Sequence, residues 1–381
     1  MLIHKAYKTR VYPTKKQEKQ LINHFGSARF IYNYFLQYKT DQYKTTKKSA
    51  PLLVMSRELT LLKQKQEYNW LNNISRQCLL NSIKNLDTAF NSFFQKKTKY
   101  PNFKKRHKKQ TFKISAPFCS IKENGVHIPL IGILNCDTNS LPEKYKFLSV
   151  TVSKTVTNKY FIAINIETEI TDPKTDKNKP IIGLDFGLKT FITTSNGEKI
   201  NQPKFANDKK KRRLSRILSR RTKGSKRRQR ARLRLAVYHE KTHNRRNDYL
   251  HKLSSKMVSE NQAIILEDLS IKGMMNRFGK QLGELGWHEY TRQLSYKGKW
   301  YGCIVEKTDR FFPSSKICSE CGFINDNLKL SDREWVCPSC SVHHDRDNNA
   351  AKNILEYGRA DRNLRTWRGR AISSLTEASK H

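Results

Sequence analysis

The chain has 381 residues, enough for two or three domains with buried cores. It carries 75 Lys and Arg against 33 Asp and Glu, a formal net charge of +42, which exceeds what solubility requires and indicates a polyanionic partner such as nucleic acid. No uninterrupted apolar stretch is long enough to span a membrane, and the first residues lack the apolar segment of a secretory signal, so we expect a cytoplasmic protein.

Two amphipathic helices are predicted in the first hundred residues. In residues 14–40 one face is apolar at helical spacing, formed by Leu21, Phe25, Ala28, Tyr32 and Phe35. Residues 75–97 repeat the pattern, with Ser75 as a candidate N-cap and an apolar face formed by Leu79, Ile83, Leu86, Phe90 and Phe93. The apolar faces indicate core packing, and the stretch between the helices, 39–51, reads as a polar loop.

The next segment first combines aromatic with basic residues. After it, the spacing of the apolar residues changes from helical to alternating. In residues 99–113 aromatic side chains alternate with cations, so Lys104, Lys105 and Arg106 are candidates for phosphate contacts. From about 111 to 170 apolar residues alternate with polar ones, which predicts an antiparallel sheet or small barrel. Residues 171–180 contain two prolines and read as a linker.

A dense basic segment follows a short strand and a predicted hairpin at Asn196-Gly197. Residues 209–234 hold 15 Lys or Arg in 26 positions and no acid, with apolar residues at helical intervals and a break at Gly224. We expect a helical hairpin that follows nucleic acid, because so many like charges fold poorly without a counter-charge. Its candidate contacts are Arg212, Arg213, Arg216, Arg220, Arg227 and Arg228.

Three acids stand at the ends of predicted elements. Asp185 ends one strand, Glu267 ends an apolar strand, and Asp347 precedes the helix start in DNNAAKN. An RNase H-like fold brings such positions together, and three carboxylates can bind two Mg²⁺ ions for phosphodiester hydrolysis. An actin-like ATPase loop is an alternative reading of IGLDFGLKT, but we find no second Gly-rich phosphate loop in the sequence.

Four of the eight cysteines form two CxxC pairs. Their spacing, C-x2-C-x15-C-x2-C, predicts a tetrahedral zinc site of Cys318, Cys321, Cys337 and Cys340. Four protein ligands leave no open position, so we expect this zinc to be structural. A redox pair is the alternative, and His343 and His344 are alternative ligands.

The order of GLDFGLKTF, ILEDLSIKGM, the cysteine pairs and DRDNNAAKNIL resembles the TnpB (OrfB) family of insertion sequences, which is related to type V CRISPR effectors. GSARFIYNYFL and GWHEYTRQLSYKGKWYG also resemble it. The resemblance implies an α/β multidomain fold, in which an RNase H-like (RuvC-like) nuclease domain carries a zinc-ribbon-like insertion. It also implies an N-terminal β-barrel wedge that carries an inserted helical recognition lobe.

The resemblance sets the expected domain boundaries. They are 1–12 and 106–175 for the wedge, 13–105 for the recognition lobe, 180–304 and 345–360 for the nuclease domain, 208–258 for the basic hairpin within it, 305–344 for the zinc-binding insertion, and 361–381 for a tail without a defined fold.

The resemblance also implies an activity. It is RNA-guided, Mg²⁺-dependent cleavage of double-stranded DNA beside a short transposon-adjacent motif, with a guide RNA from the transposon end. The catalytic triad falls on Asp185, Glu267 and Asp347, with Asp268 and Asp345 as neighbours that spacing alone does not exclude. We expect a bacterial protein that joins the nucleoid when bound to DNA. The alternatives are a nuclease-inactive RNA-guided repressor, a transposase that joins strands itself, and a basic RNA-binding structural protein.

Overall fold

The structure, a computed structural model, describes residues 1–329 and 331–362. These residues divide into two compact units. The first comprises Met1–Thr171 and Arg216–Val237, and the second comprises the remaining described residues. Most of the tail that the sequence predicts over 361–381 lies outside the described residues. No helix among them combines the length and apolar character that crossing a membrane would require.

The N-terminal half of the first unit is mainly helical. Its elements are β1 (Leu2–Val11), α1 (Lys15–Thr46), α2 (Leu52–Gln64), a 3-10 helix (Gln66–Asn73) and α3 (Arg76–Phe94). The two predicted helices are confirmed as α1 and α3, and every residue predicted for the apolar face of α1 is buried. Thr14 caps α1 through a reciprocal capping box with Gln17, which explains why the helix begins there.

The polar loop predicted over 39–51 is partly wrong, because α1 continues to Thr46 and a further helix follows the loop. In α2 the buried residues Met55, Leu59 and Leu62 follow helical spacing, so the sequence does contain a signal for this helix. At α3, Ser75 occupies the N-cap position but makes no side-chain cap hydrogen bond.

Two antiparallel sheets follow in residues 1–171 of the first unit. Their strands are β2 (Gln110–Ser115), β3 (Ser120–Lys122), β4 (Gly125–Ile128), β5 (Gly132–Asn135), β6 (Lys146–Lys154) and β7 (Tyr160–Glu169). One sheet has the order β1-β7-β6-β2 and the other β3-β4-β5. The predicted alternation is confirmed in β7, where Ile162, Ile164 and Ile166 are fully buried. It breaks at Leu148, which lies in a register shift between Phe147 and Ser149.

The predicted β-barrel is not observed, since the described strands form two sheets and no closed barrel. β1 pairs only with β7 and β2 only with β6, so both remain edge strands. Helices cover the apolar face of the sheet, which in a closed barrel would be buried inside the barrel. Phe112 and Ile114 of β2 share one hydrophobic core with Phe25 of α1 and Ile83 of α3. Burial against helices therefore satisfies the apolar face of the open sheet.

The second unit contains a mixed five-stranded sheet of order β10-β9-β8-β11-β12. Its strands are β8 (Ile181–Asp185), β9 (Ile192–Thr194), β10 (Lys199–Ile200), β11 (Ala263–Leu266) and β12 (Ile304–Lys307). β8, β11 and β12 are parallel, whereas β9 pairs antiparallel with β8 and with β10. The hairpin predicted at Asn196-Gly197 is confirmed between β9 and β10, but its turn lies one residue earlier. The N–H of Gly197 donates to the carbonyl of Thr194 at 2.9 Å, so Ser195 and Asn196 are the central residues and Gly197 follows them at a φ of 85°.

In the described part of the chain, five helices and a small hairpin accompany this sheet. They are α4 (Asp208–Ser219), α5 (Lys226–Glu260), α6 (Ile271–Leu285), α7 (Trp287–Tyr301) and α8 (Arg346–Arg362), with β13 (Glu334–Val336) paired to β14 (His343–Asp345). The boundary between the units falls within α4 and at Val237 of α5. The predicted basic helical hairpin is confirmed as α4 and α5, and Gly224 breaks it with a φ of 87°. α6 was not predicted.

Candidate active site and cysteine cluster

The register of two parallel strands brings two of the predicted acids side by side. Leu184 of β8 pairs with Leu266 of β11, so the next residues, Asp185 and Glu267, continue the same register. Neighbouring parallel strands lie about 4.8 Å apart, and their carboxyl ends share one edge of the sheet. The two carboxylates therefore meet where apolar strand residues give way to polar ones.

Close packing of α8 on β8 brings the third acid to the same place. Asp347 lies in the first turn of α8. A Cβ built on Gly183 would lie 2.7 Å from the backbone nitrogen of Leu355 and would collide with the carbonyl oxygen of Ala351. Only a glycine at this strand position lets the α8 backbone approach so closely. Ala350 and Ala351 of α8 are both buried and have small side chains.

The charges of the three carboxylates affect one another. The pKa of Asp185 lies well above its ordinary value, first because of burial and then because of the negative charges of Glu267 and Asp347. Burial also raises the pKa of Glu267, while the Arg346 guanidinium opposes that rise. The site thus concentrates oxygen donors whose negative charge is only partly compensated. A hard divalent cation would supply the missing charge, so the donor set fits Mg²⁺.

The two acids that spacing could not exclude have ion-pair partners. Asp268 accepts from Lys307 and from Arg310, both at 2.8 Å, and these contacts lower its pKa. Asp345 accepts from Lys199 at 2.6 Å and from the backbone N–H of Asn348 at 2.9 Å. Burial alone would raise the pKa of Asp345, but these contacts hold it below its ordinary value. Both carboxylates therefore have structural partners.

Asp347 has a weaker partner. Its Oδ1 lies 3.5 Å from Arg333 Nη1, and its side chain is 19% exposed. This contact is longer than an ordinary charge-assisted hydrogen bond of about 2.7–2.9 Å, so the carboxylate keeps acceptor capacity.

A groove of about 620 Å³ opens beside Glu267. Phe186 and Trp287 line it, with ring centroids 5.7 Å apart, and cations lie around them. Arg292 among these cations is paired with Glu289 at 2.7 Å, and this pairing lowers the pKa of Glu289 to about 2. An aromatic floor with cationic sides suits a nucleotide chain, whose bases stack and whose phosphates need counter-charge.

The four predicted cysteines form one cluster in which all sulfur atoms lie within 4.8 Å of one another. The Sγ atoms of Cys318 and Cys340, and those of Cys321 and Cys337, are each 3.6 Å apart. A tetrahedral site with a metal–sulfur distance of about 2.3 Å has sulfur–sulfur edges of about 3.8 Å, so the cluster has nearly the size that zinc requires. The backbone N–H of Phe323 helps to lower the pKa of Cys321 to about 7.

The two cysteine loops repeat one backbone geometry. Cys318 accepts at its carbonyl from the N–H of Gly322 at 2.9 Å, and Cys337 accepts from Ser341 at 2.9 Å. Gly322 has a φ of 77° and Ser341 a φ of 58°, so both loops turn through the left-handed region. The turns direct each pair of sulfur atoms towards the other pair.

Two asparagines of the DNNAAKN stretch connect the cysteine cluster to α8. Asn349 accepts from the backbone N–H of Ser319 at 2.9 Å and donates to the carbonyl of Ile317 at 2.7 Å. Asn353, one turn later, donates to the carbonyls of Ser314 at 2.8 Å and of Ile317. Both side chains are buried. Sequence reasoning missed this role, although a pair of asparagines at i and i+4 was a possible signal.

The two histidines beside the cluster differ in their surroundings. His344 is buried, and its Nε2 lies 3.0 Å from the Sγ of Cys318. It also contacts Trp335, with ring centroids 4.8 Å apart. His343 is exposed and lies 3.5 Å from Glu334. His344 is therefore placed to support a cysteine sulfur.

Two of the side chains predicted to contact nucleic acid interact with other residues of the protein. Lys104 lies 3.8 Å from the ring centroid of Tyr32. Arg228 donates to the carbonyls of Leu218 at 2.9 Å and Arg221 at 2.6 Å, so it closes the hairpin between α4 and α5. The remaining candidates are exposed: Lys105, Arg106, Arg212, Arg213, Arg216, Arg220 and Arg227.

Comparison with known proteins gives matches along most of the chain. Residues 161–277 match the OrfB_IS605 family, described as a probable transposase. Residues 287–354 match the TNB domain of Cas12f1-like proteins, and residues 1–48 match the helix-turn-helix domain of the OrfB_IS605 group.

Two curated relatives cover nearly the whole chain. A Streptomyces pristinaespiralis protein, provisionally named an RNA-guided DNA endonuclease, is 35% identical over 366 residues, which are 94% of this chain and 90% of the relative. The protein InsQ of Escherichia coli strain K12, provisionally named in the same way, is 29% identical over 376 residues, 93% of this chain and 92% of its own.

A solved structure shares the fold. Cas12f1, determined in complex with sgRNA and target DNA, superposes with a TM-score of 0.57 at 14% identity, covering 93% of this chain and 99% of that chain. The fold is therefore that of an α/β multidomain protein of the Cas12f1 type. The chain belongs to the OrfB (TnpB) family of insertion sequences, which confirms the resemblance found in the sequence.

Proposed function

We propose that the protein is an RNA-guided DNA endonuclease that cleaves double-stranded DNA at the site formed by Asp185, Glu267 and Asp347. One observation carries this proposal: strand register and the Gly183 contact bring three carboxylates from distant parts of the chain to one edge of the sheet. The relatives named as RNA-guided DNA endonucleases and the net charge of +42 support it.

The three acids would bind catalytic Mg²⁺, which would activate water and stabilise the leaving oxygen of the phosphodiester. The protein's own contribution is the position of the donors. Asp185 and Glu267 are fixed by neighbouring strands, and Asp347 is fixed by a helix that is tied to the cysteine cluster. Asp268 and Asp345 hold nearby cations in place and stay outside the set.

Zinc in the cysteine cluster would have a structural role, because four thiolates complete its coordination. The hydrogen bonds of Asn349 and Asn353 connect the loops that hold the cysteines to α8. Zinc would thereby hold the helix that presents Asp347, without taking part in the reaction.

The finer parts of the proposal follow the family. The guide RNA would come from the transposon end, and the protein would read a short motif beside the target. The expected wedge, recognition lobe, nuclease domain and zinc-binding insertion keep the boundaries given above as a proposal. Exposed cations of the predicted set would contact nucleic-acid backbones, since base pairing with the guide would supply most of the sequence specificity.

Purified protein bound to its co-purifying RNA should cut a plasmid library that contains a matching target, and only when Mg²⁺ is present. A complex that binds the target without cutting it would indicate the nuclease-inactive repressor. Strand joining without RNA would indicate a transposase, the activity that the family description names.

A further inference from the structure

A large cleft within the first unit has an unusual lining. Its volume is about 1320 Å³, and the residues around it come from α1, the end of the 3-10 helix, the segment before β2, the turn between β6 and β7, and the first part of α5. No Asp or Glu is among these lining residues. Six of its cations form no ion pair with a carboxylate in the described part of the chain: Arg29, Arg106, Lys108, Lys226, Arg230 and Arg232.

Arg29 and Arg106 both line this cleft, and neither forms an ion pair with a carboxylate in the described part of the chain. The pKa of Arg29 lies below its ordinary value, because burial disfavours the cation and because the Arg106 guanidinium repels it. Arg29 is partly buried and Arg106 is exposed, and repulsion between two like charges costs the folded chain free energy. An anion between them would remove the repulsion.

One side chain holds the two arginines in this arrangement. Gln110, the first residue of β2, accepts from Arg29 Nη1 at 2.5 Å. Its amide nitrogen lies 3.2, 3.0 and 2.8 Å from the carbonyl oxygens of Lys105, Arg106 and Lys108, so its two N–H groups are shared among these three acceptors. Gln110 therefore fixes the turn that carries Arg106 while it also holds Arg29. A glutamate at this position could not donate to those carbonyls and would neutralise the pair.

The cleft also exposes apolar surface between its cations. Trp70 is 43% exposed, Val156 52% and Leu233 38%, and all three line the cleft. Aromatic and apolar groups among unpaired cations suit a ligand with both phosphates and bases. A small anion would leave most of the volume unused.

We propose that Arg29 and Arg106 clamp one backbone phosphate of a nucleic acid lying in this cleft, and that Gln110 is the residue that positions the clamp. The inference rests on the proposed function for its ligand, a guide RNA or a target DNA, which share the phosphodiester group. A guanidinium presents five N–H donors, so Arg29 keeps donors for the phosphate after its bond to Gln110.

Binding measurements on the full-length protein test the clamp. The probes are a labelled 20-nucleotide single-stranded RNA, a 20-base-pair DNA duplex and the co-purifying RNA, each titrated over a range of salt concentrations. Arg106→Ala should weaken binding of at least one probe about tenfold, the effect of one charge-assisted hydrogen bond. The slope of log affinity against log salt should fall by about 0.7 for RNA or about 0.9 for duplex.

Arg57→Ala is the matched control, because Arg57 is an exposed guanidinium of α2 that does not line the cleft. If Arg106→Ala and Arg57→Ala lower affinity equally for every probe, the clamp is refuted. A loss confined to RNA probes assigns the phosphate to RNA, and a loss confined to duplex assigns it to DNA. If a poly-glutamate peptide displaces RNA as well as unlabelled RNA does, the cleft serves an acidic peptide and the inference is wrong.

Gln110→Ala tests the positioning role, because it changes no charge. We expect it to weaken binding several-fold in the wild type and to have a smaller effect in the Arg106→Ala protein, where only Arg29 is left for Gln110 to position. If the losses of affinity caused by Gln110→Ala and Arg106→Ala were fully additive, Gln110 would not position the clamp. Thermal melting of each variant distinguishes a positioning role from a general loss of folding stability. All readouts measure binding, so a wild type that binds but never cuts would refute the proposed nuclease and leave the clamp intact.

Discussion

The contact between α8 and β8 makes a sharp prediction about catalysis. In Gly183→Ala the new Cβ would lie 2.7 Å from the Leu355 nitrogen and would collide with the Ala351 carbonyl oxygen. Ordinary contact begins at about 3.5 Å, so α8 must move away by roughly 0.5–1 Å. Overpacking of this kind costs about 1–3 kcal/mol of folding stability. Because Asp347 lies on α8, the same movement separates it from Asp185.

The same displacement of α8 should slow cleavage. A misplacement of about 1 Å can lower the rate of a positioned reaction about a hundredfold. The assay is plasmid cleavage under single-turnover conditions by the protein–RNA complex, together with target binding and thermal melting. We expect slow cleavage, near-normal binding and a modest loss of melting temperature, since the clash is local.

Gly283→Ala is the control, because a Cβ at Gly283 meets open space in α6. This variant should cut at the wild-type rate, and alanine should favour the helix by up to about 1 kcal/mol. If Gly183→Ala melted and cut like the wild type, close packing of α8 would not be what positions the third acid.

Two further predictions concern the cysteine cluster. Cys337→Ser should reduce bound zinc and slow cleavage, whereas the control Cys136→Ser, which lies outside the cluster, should change neither. Metal analysis and the cleavage assay measure these effects, and an active wild type that contains no zinc would contradict the prediction. Asn349→Ala leaves the backbone N–H of the partly buried Ser319 without its acceptor, so we expect a loss of about 1–3 kcal/mol of folding stability by denaturant unfolding and slower cleavage at full zinc occupancy. Unchanged stability and rate would show that Asn353 alone holds the helix to the cluster.

Patterns within short stretches of the sequence correctly predicted several helices, strands and turns. Apolar residues at helical spacing marked α1 and α3, alternation marked β7, and two turn residues marked the hairpin after β9. The cysteine spacing indicated the cluster, because two such pairs can meet only if the chain folds back between them. The ends of β8 and β11 were also readable, since the apolar run stops at each acid.

These short patterns did not predict contacts between residues that are far apart in the sequence. Nothing local distinguishes Glu267 from Asp268, yet Asp268 has two cationic partners from residues about 40 positions later. Alternation left an open sheet and a small barrel as alternatives, because it does not show what covers the apolar face, and only the family resemblance implied the barrel. The bond between Arg29 and Gln110 joins residues 81 positions apart, so no sequence period contains it.

The central claim is that Asp185 belongs to a metal-dependent nuclease site. The most direct measurement compares wild type, Asp185→Ala and the exposed control Asp248→Ala for target binding and for plasmid cleavage with Mg²⁺. We predict that all three bind the target equally, that Asp248→Ala cuts like the wild type, and that Asp185→Ala cuts at least about a hundredfold more slowly. Undiminished cleavage by Asp185→Ala would contradict the account.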